Sequence, residues 1–270
     1  MADVAETTAH KWDVAGQAWG ARACDWAYLF EPYARSANEL VFDRLGLGAG
    51  DRLIDIACGS GLAAQFGARR GADVSGLDAS SALVDIARAR TPSGDFRVGT
   101  MFSFPFADGS FDVATSFNGI WKGCEKALQE ARRVLVPGGR LGLTCWGRLE
   151  HLGLLGYFQK IIELSPESHV AATLNQGDTG RGGVLEEMLT ATGFVEDERG
   201  TVSVVNEWPD LDVAVRALTS AGPCVPAIEA YGLDRVRQEL REVIGSLERP
   251  GLGVRITSEL AWFTASRSPD

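Results

Sequence analysis

The chain has 270 residues, 45% of them hydrophobic and 23% charged, with a formal net charge of -10. That size and apolar content are enough to bury a substantial core and fall within the range of a single α/β domain. The carboxylate surplus repels phosphate backbones and no local basic patch offsets it, so nucleic acid is excluded as a partner, while small neutral or cationic molecules are easier to accommodate.

No uninterrupted apolar run reaches the roughly 18 residues of a spanning helix, so no membrane segment is expected. The five cysteines (Cys24, Cys58, Cys124, Cys145, Cys224) are scattered without paired CxxC spacing. The start, Met-Ala-Asp-Val-Ala-Glu, lacks the basic and apolar regions of a signal peptide. The expectation is a reduced, cytoplasmic setting.

In chain order, residues 9–47 read as helices. Trp12, Trp19, Trp26, Tyr28, Phe30 and Tyr33 are interleaved with alanine and charge, without strand-like alternation, and Gly46, Gly48 and Gly50 close the segment. This layer, 1–47, reads either as an amphipathic layer whose aromatics pack on the domain or, because it directly precedes the turn described below, as a helical lid. From Arg52 the pattern alternates: a strand to Ala57, a helix from Leu62 to Arg70, a strand from Asp73 to Asp78, and a helix from Ser80 to Arg90 with Ser80 as N-cap. Strands at Phe96–Gly99, Phe111–Phe117 and Arg140–Trp146 follow, with a helix over Glu125–Val134 before the Pro137-Gly138-Gly139 turn. Such βαβα repetition predicts an α/β, Rossmann-like parallel sheet covered by helices on both faces, with its core in residues 48–147.

After Trp146 the rhythm breaks. Residues 149–175 read as a helical stretch and a polar loop, an insertion over 148–180 following the fifth strand. The remainder, 181–270, returns to the sheet: a helix over Glu186–Thr192, a strand over Val202–Trp208, mostly helix from Leu211 to Leu247 with a break at Gly222-Pro223, and a final strand over Arg255–Ala265.

The stretch Leu53-Ile54-Asp55-Ile56-Ala57-Cys58-Gly59-Ser60-Gly61 puts an acid within a strand and small residues at the turn after it. A backbone of that kind lets a ligand approach at the carboxyl end of the strand. Gly76-Leu77-Asp78 ends the next strand about 20 residues on, where a carboxylate can accept both hydroxyls of a ribose. No Lys-Ser or Lys-Thr follows the glycines, which removes the P-loop reading. Asp55 disfavours a pyrophosphate and favours a ligand bearing an ammonium group.

Asp55-Ile56-Ala57-Cys58-Gly59-Ser60-Gly61 resembles motif I of the class I S-adenosylmethionine (SAM) dependent methyltransferases, in the subgroup that includes ubiquinone-biosynthesis and many natural-product enzymes. Gly76-Leu77-Asp78-Ala79-Ser80 resembles their second-strand motif. Residues 104–112 resemble the run into their fourth strand, and residues 130–140 the helix and turn before the fifth. The resemblance implies a seven-stranded sheet with the last strand antiparallel. It implies that Asp55, Ala57, Gly59 and Gly61 hold the methionine portion of SAM and Asp78 its ribose, with Ala79 flanking the adenine. Thr100, Met101 and Phe102 occupy the place where these enzymes usually carry an acid toward the adenine amino group. Thr100 departs from that pattern, so the Met101 backbone and Phe102 are expected to hold the ring. Phe117 and Asn118 are expected beside the sulfonium. Trp19 and Arg22, three apart on the N-terminal helix, are expected to close over SAM, with Arg22 meeting its carboxylate.

Methyl transfer is an in-line displacement whose reactivity belongs to the cofactor, so a dedicated catalytic residue is not required. A hydroxyl acceptor does need a base, and histidine is the best-suited type. His151, shortly after the fifth strand, ranks first, ahead of His10 and His169. No histidine pair or Cys/His cluster has metal-ligand spacing, so no metal is expected. Trp12, Trp19, Trp26, Phe30, Tyr33, Trp121, Trp146, Leu152 and Phe158 are expected to wall an acceptor pocket, which points to a small apolar or aromatic acceptor. The expected activity is O-, N- or C-methylation, in a setting such as secondary metabolism. A homodimer is one assembly open to the chain. Two other readings compete: a SAM-binding enzyme of this fold that performs a cyclisation, and a nicotinamide-dependent oxidoreductase.

Overall fold

The structure is a computed structural model that describes residues 12–166 and 179–269. Helix α1 covers 12–20, and short helical turns at Ala23–Asp25, Trp26–Phe30 and Glu31–Ala34 lead into α2 (Arg35–Leu45). The alternating part runs β1 (Arg52–Ile56), α3 (Leu62–Arg69), β2 (Asp73–Asp78), α4 (Ser81–Arg90), β3 (Asp95–Val98), β4 (Phe111–Phe117), α5 (Glu125–Val134) and β5 (Leu135–Trp146). Helices α6 (Leu155–Leu164) and α7 (Val184–Ala191) follow. Then come β6 (Phe194–Trp208), α8 (Leu211–Leu218), α9 (Val225–Tyr231), α10 (Leu233–Ile244), the two-residue β7 (Glu248–Arg249) and β8 (Gly253–Arg267).

Seven strands follow the order β3-β2-β1-β4-β5-β8-β6, with β7 added against β8. The pairings from β3 through β5 are parallel, and β8 runs antiparallel to both β5 and β6. The expected seven-stranded sheet with an antiparallel last strand is therefore present, and β7 is an addition to it. Strand order reverses between β1 and β4. The carboxyl ends of these two strands therefore diverge into a crevice where open α/β sheets bind ligands.

Local chemistry explains the elements. In β1, Leu53, Ile54, Asp55 and Ile56 are all buried, as befits a central parallel strand covered on both faces. Helix α5 buries Ala127, Leu128, Ala131 and Val134 at i, i+1, i+4 and i+7 and leaves its charges outward. Ser80 caps α4, its Oγ accepting the Leu83 N–H at 3.3 Å. Gly142 of β5 lets α2 approach the sheet, since a Cβ there would lie 2.5 Å from Val41 and 2.7 Å from Leu45. At the far end of the sheet, Phe30, Tyr33, Tyr157, Trp208 and Leu218 join the N-terminal turns and the C-terminal helices in one buried cluster.

Several boundaries differ from expectation. Strand β6 begins at Phe194 rather than Val202, because its charged first half pairs with β8 through a bulge between Glu196 and Glu198. The helical stretch after Trp146 resolves into a short turn at Leu149–His151 and α6, and the positions beyond 166 expected to complete it lie outside the described residues.

Candidate functional site

The turn after β1 carries the site. Gly59 and Gly61 have positive φ (53° and 75°), and Ala57 holds the same left-handed backbone at 55°. Gly61 lies against α4, where a Cβ would come within 2.7 Å of Ala87. In nucleotide-binding turns such N–H groups converge on a phosphate. Here they already have partners. Gly59 N–H donates to Asp78 Oδ2 (2.9 Å), Ser60 N–H to Glu31 Oε1 (3.3 Å), and Gly61 N–H to the Cys58 carbonyl (2.9 Å). These three donors are occupied and the turn is ringed by acids, an environment that disfavours a pyrophosphate.

Three carboxylates surround this turn. Asp55, at 1% exposure, lies beneath it and accepts the Thr115 hydroxyl at 2.8 Å. Burial pushes its pKa up to about 7; the Thr115 bond opposes the rise, and the charges of Glu31 and Asp78 add to it. Asp78 also accepts the Ser80 N–H at 2.8 Å. Burial raises its pKa while the backbone bonds from Ser80 and Gly59 pull it back. Glu31, at 8% exposure, accepts the Ser60 hydroxyl and an Arg90 N–H at 2.8 Å. Its pKa also rises through burial, against the opposing charge of Arg90. Arg90 pairs with Glu31 alone of this trio, so the three carboxylates outnumber it and a ligand that brings positive charge is electrostatically favoured. This donor set, acidic and with a carboxylate at the second strand, fits a cationic nucleoside.

Around the turn runs a rim of half-buried residues: Ala57, Gly59, Asp78, Ala79, Met101, Phe102, Phe117 and Asn118. They belong to the carboxyl ends of β1, β2 and β4 and to the turn after β3, so the fold brings these expected site residues to one edge of the sheet. Helix α1 covers part of this edge: Gly16 is pressed against the Ala79 carbonyl and Gly20 against Ser80. The Thr100 hydroxyl accepts the Phe102 N–H at 3.2 Å and so shapes its own turn, while Met101 and Phe102 pack on the core beside Phe104. Beyond β4, a small cleft is lined by Asn118, Ile120, Trp121, Cys145 and Trp146. Tyr33 stacks on Trp146 with ring centres 5.5 Å apart, Phe158 meets Trp146 edge-on at 5.4 Å, and Asn118 Nδ2 donates to the Tyr33 hydroxyl at 2.8 Å. Aromatic rings thus continue the rim toward the cleft.

Helix α1 stops at 20 and Arg22 has φ -139° and ψ 46°, so Trp19 and Arg22 do not share a helical face. Trp19 meets Trp26 edge-on at 4.7 Å and packs over Gly222. Arg22 lies near enough to Cys224 to pull its thiol pKa down, although burial dominates and raises it to about 12. His151 is exposed, with Nδ1 3.2 Å from Glu259 Oε1. The backbone of Glu259 binds Gly147, next to the cleft residue Trp146. His10 and His169 lie outside the described residues. Among the described residues no group of three acidic, histidine or cysteine side chains is arranged to hold a metal. No helix of the described residues is long and apolar enough to cross a membrane.

Sequence reasoning missed Glu31, Ser60 and Arg90. A single acid set among Trp26, Tyr28, Phe30 and Tyr33 was the available signal, since a carboxylate that an aromatic run carries into the core requires a partner.

A family model described as a methyltransferase domain matches residues 54–143. An uncharacterized methyltransferase of Mycobacterium bovis is 35% identical over 203 residues, covering 71% of this chain and 74% of that protein. A demethylmenaquinone methyltransferase of Renibacterium salmoninarum is 39% identical over 109 residues, 40% of this chain, and the match spans 46% of that relative's length. Among solved structures, the (4+2)-cyclase SpnF shares the fold with a TM-score of 0.57 at 19% identity, covering 97% of this chain and 96% of that one.

Proposed function

The chain belongs to the class I SAM-dependent methyltransferases, and we propose that it transfers a methyl group from SAM to a small apolar or aromatic acceptor. One observation carries this reading: Gly59 and Ser60 give their N–H groups to Asp78 and Glu31, so the glycine turn presents negative charge beside an aromatic cleft. Asp78 retains lone pairs for the ribose hydroxyls. Asp55 supplies buried negative charge beneath the methionine portion, whose ammonium sits beside Ala57, Gly59 and Gly61. Ala79, Met101 and Phe102 flank the adenine, with Thr100 fixing their turn. Phe117 and Asn118 face the reacting end, and Trp19 and Arg22 belong to the covering layer.

When bound, SAM supplies an electrophilic methyl on sulfur. The chain's own work is then alignment and exclusion of water, which Trp121, Trp146 and the Tyr33–Asn118 pair perform on the acceptor side. For an acceptor hydroxyl, His151 takes the proton, with Glu259 holding its ring. In this reading one domain works in the cytoplasm, with 1–47 as lid and 148–180 as an insertion over the acceptor, in the setting of secondary metabolism. A second reading, a cyclisation without methyl transfer, is favoured by the full-length likeness to SpnF.

Incubation with methyl-labelled SAM and a panel of phenols, quinols and amines tests both readings. Label in an acceptor supports methyl transfer. Conversion of an acceptor with SAM unconsumed supports cyclisation.

A further inference from the structure

Outside the expected motif residues, the most heavily buried ion pair near the turn joins segments that are distant in sequence. Arg90, the last residue of α4, places one nitrogen 2.8 Å from Glu31 Oε2 and 2.5 Å from Ser60 Oγ, and the other 2.7 Å from the Ala27 carbonyl. Both charged side chains keep only 11% of their exposure. The Tyr28 ring lies over the guanidinium at 5.2 Å. Glu31 in turn holds the Ser60 N–H, and a Cβ on Gly59 would lie 3.2 Å from Glu31 Oε1. One guanidinium therefore binds the N-terminal layer at Ala27 and Glu31 and the glycine turn at Ser60 together.

A pair this buried is costly to desolvate, and replacing such pairs by apolar residues of similar size is often neutral or stabilising in proteins. Its geometry serves position rather than bulk stability. We propose that Glu31 and Arg90 are positioning residues that fix the glycine turn in its cofactor-receiving shape by fastening it to the N-terminal layer, so that cofactor binding and closure of that layer are one event. The identity of the ligand rests on the methyltransferase reading; the coupling itself does not.

The test uses the full chain and S-adenosylhomocysteine as probe, with affinity read by calorimetry and amide exchange read over residues 23–34. Arg90→Met leaves Glu31 buried and unpaired and endangers folding, so Glu31→Gln/Arg90→Met, which removes both charges, is measured beside it. The double variant is expected to keep the wild-type circular dichroism spectrum, to lose affinity by about tenfold, and to lose the protection that the probe confers on residues 23–34. A folded double variant with wild-type affinity, or with unchanged protection of that segment, overturns the coupling. Absence of probe binding by the wild-type chain would instead overturn the cofactor reading, and is thereby distinguished.

Discussion

Ala57 and Asn118 hold the same left-handed backbone, φ 55° and 57°, at the ends of the neighbouring strands β1 and β4. They are the non-glycine positions with positive φ among the described residues, and they flank the point where the strand order reverses. Strain of this kind collects where a backbone must be aimed for function.

Ala57 shows the cost. A Cβ in this region is unfavourable by about 1–2 kcal/mol, and glycine returns part of that as unfolded-state entropy. Ala57→Gly should therefore raise stability by about 1 kcal/mol in urea unfolding, with the turn unchanged. A loss of stability would mean that the Ala57 methyl, which lies against Gly119, is needed for packing.

Asp55 makes stability depend on pH. Its pKa is raised from 3.8 to about 7, so between those values the folded chain keeps a proton that the unfolded chain has released. Its contribution is full below pH 3.8, declines as pH rises, and is gone above about 7. Glu31 and Asp78 are shifted in the same direction, so the contrast with a variant isolates Asp55. Asp55→Asn should flatten the decline between pH 4 and 7, measured by urea midpoints. Because the α-ammonium of S-adenosylhomocysteine favours the ionised form of Asp55, affinity for it in the wild-type chain should also rise from pH 6 to 8, and that rise should shrink in the variant.

Gly142 fixes how closely α2 lies on β5. Its missing side chain leaves room for Val41 and Leu45, both buried. Gly142→Ala should cost about 1–3 kcal/mol through overpacking, read from denaturant unfolding, while circular dichroism stays that of the native fold.

His151 offers a test confined to chemistry. With a hydroxyl acceptor, His151→Gln should lower kcat by about a hundredfold or more at neutral pH and leave S-adenosylhomocysteine affinity unchanged. Unaltered kcat would remove it as the base.

Much of this was legible from residues alone. The buried run Leu53–Ile56, the acid closing β2 and the amphipathic spacing of α5 each state their element locally, and Ser80 announces its cap. What stayed hidden is non-local. The stretch from Val195 to Thr201 has no apolar alternation and becomes strand because β8 pairs with it through a bulge near Glu196 and Glu198. The Glu31–Arg90 pair joins positions 59 apart, which no spacing rule connects. Trp19 and Arg22 suggested one helical face, but the helix ends between them.

The most direct test titrates the wild-type chain and Asp78→Asn with S-adenosylhomocysteine and with NAD by calorimetry. We expect the wild-type chain to bind the former and not the latter, and the folded variant to bind about tenfold or more weakly, since a hydrogen bond to a charged group is lost. NAD binding without S-adenosylhomocysteine binding, or a folded variant with undiminished affinity, would contradict this expectation.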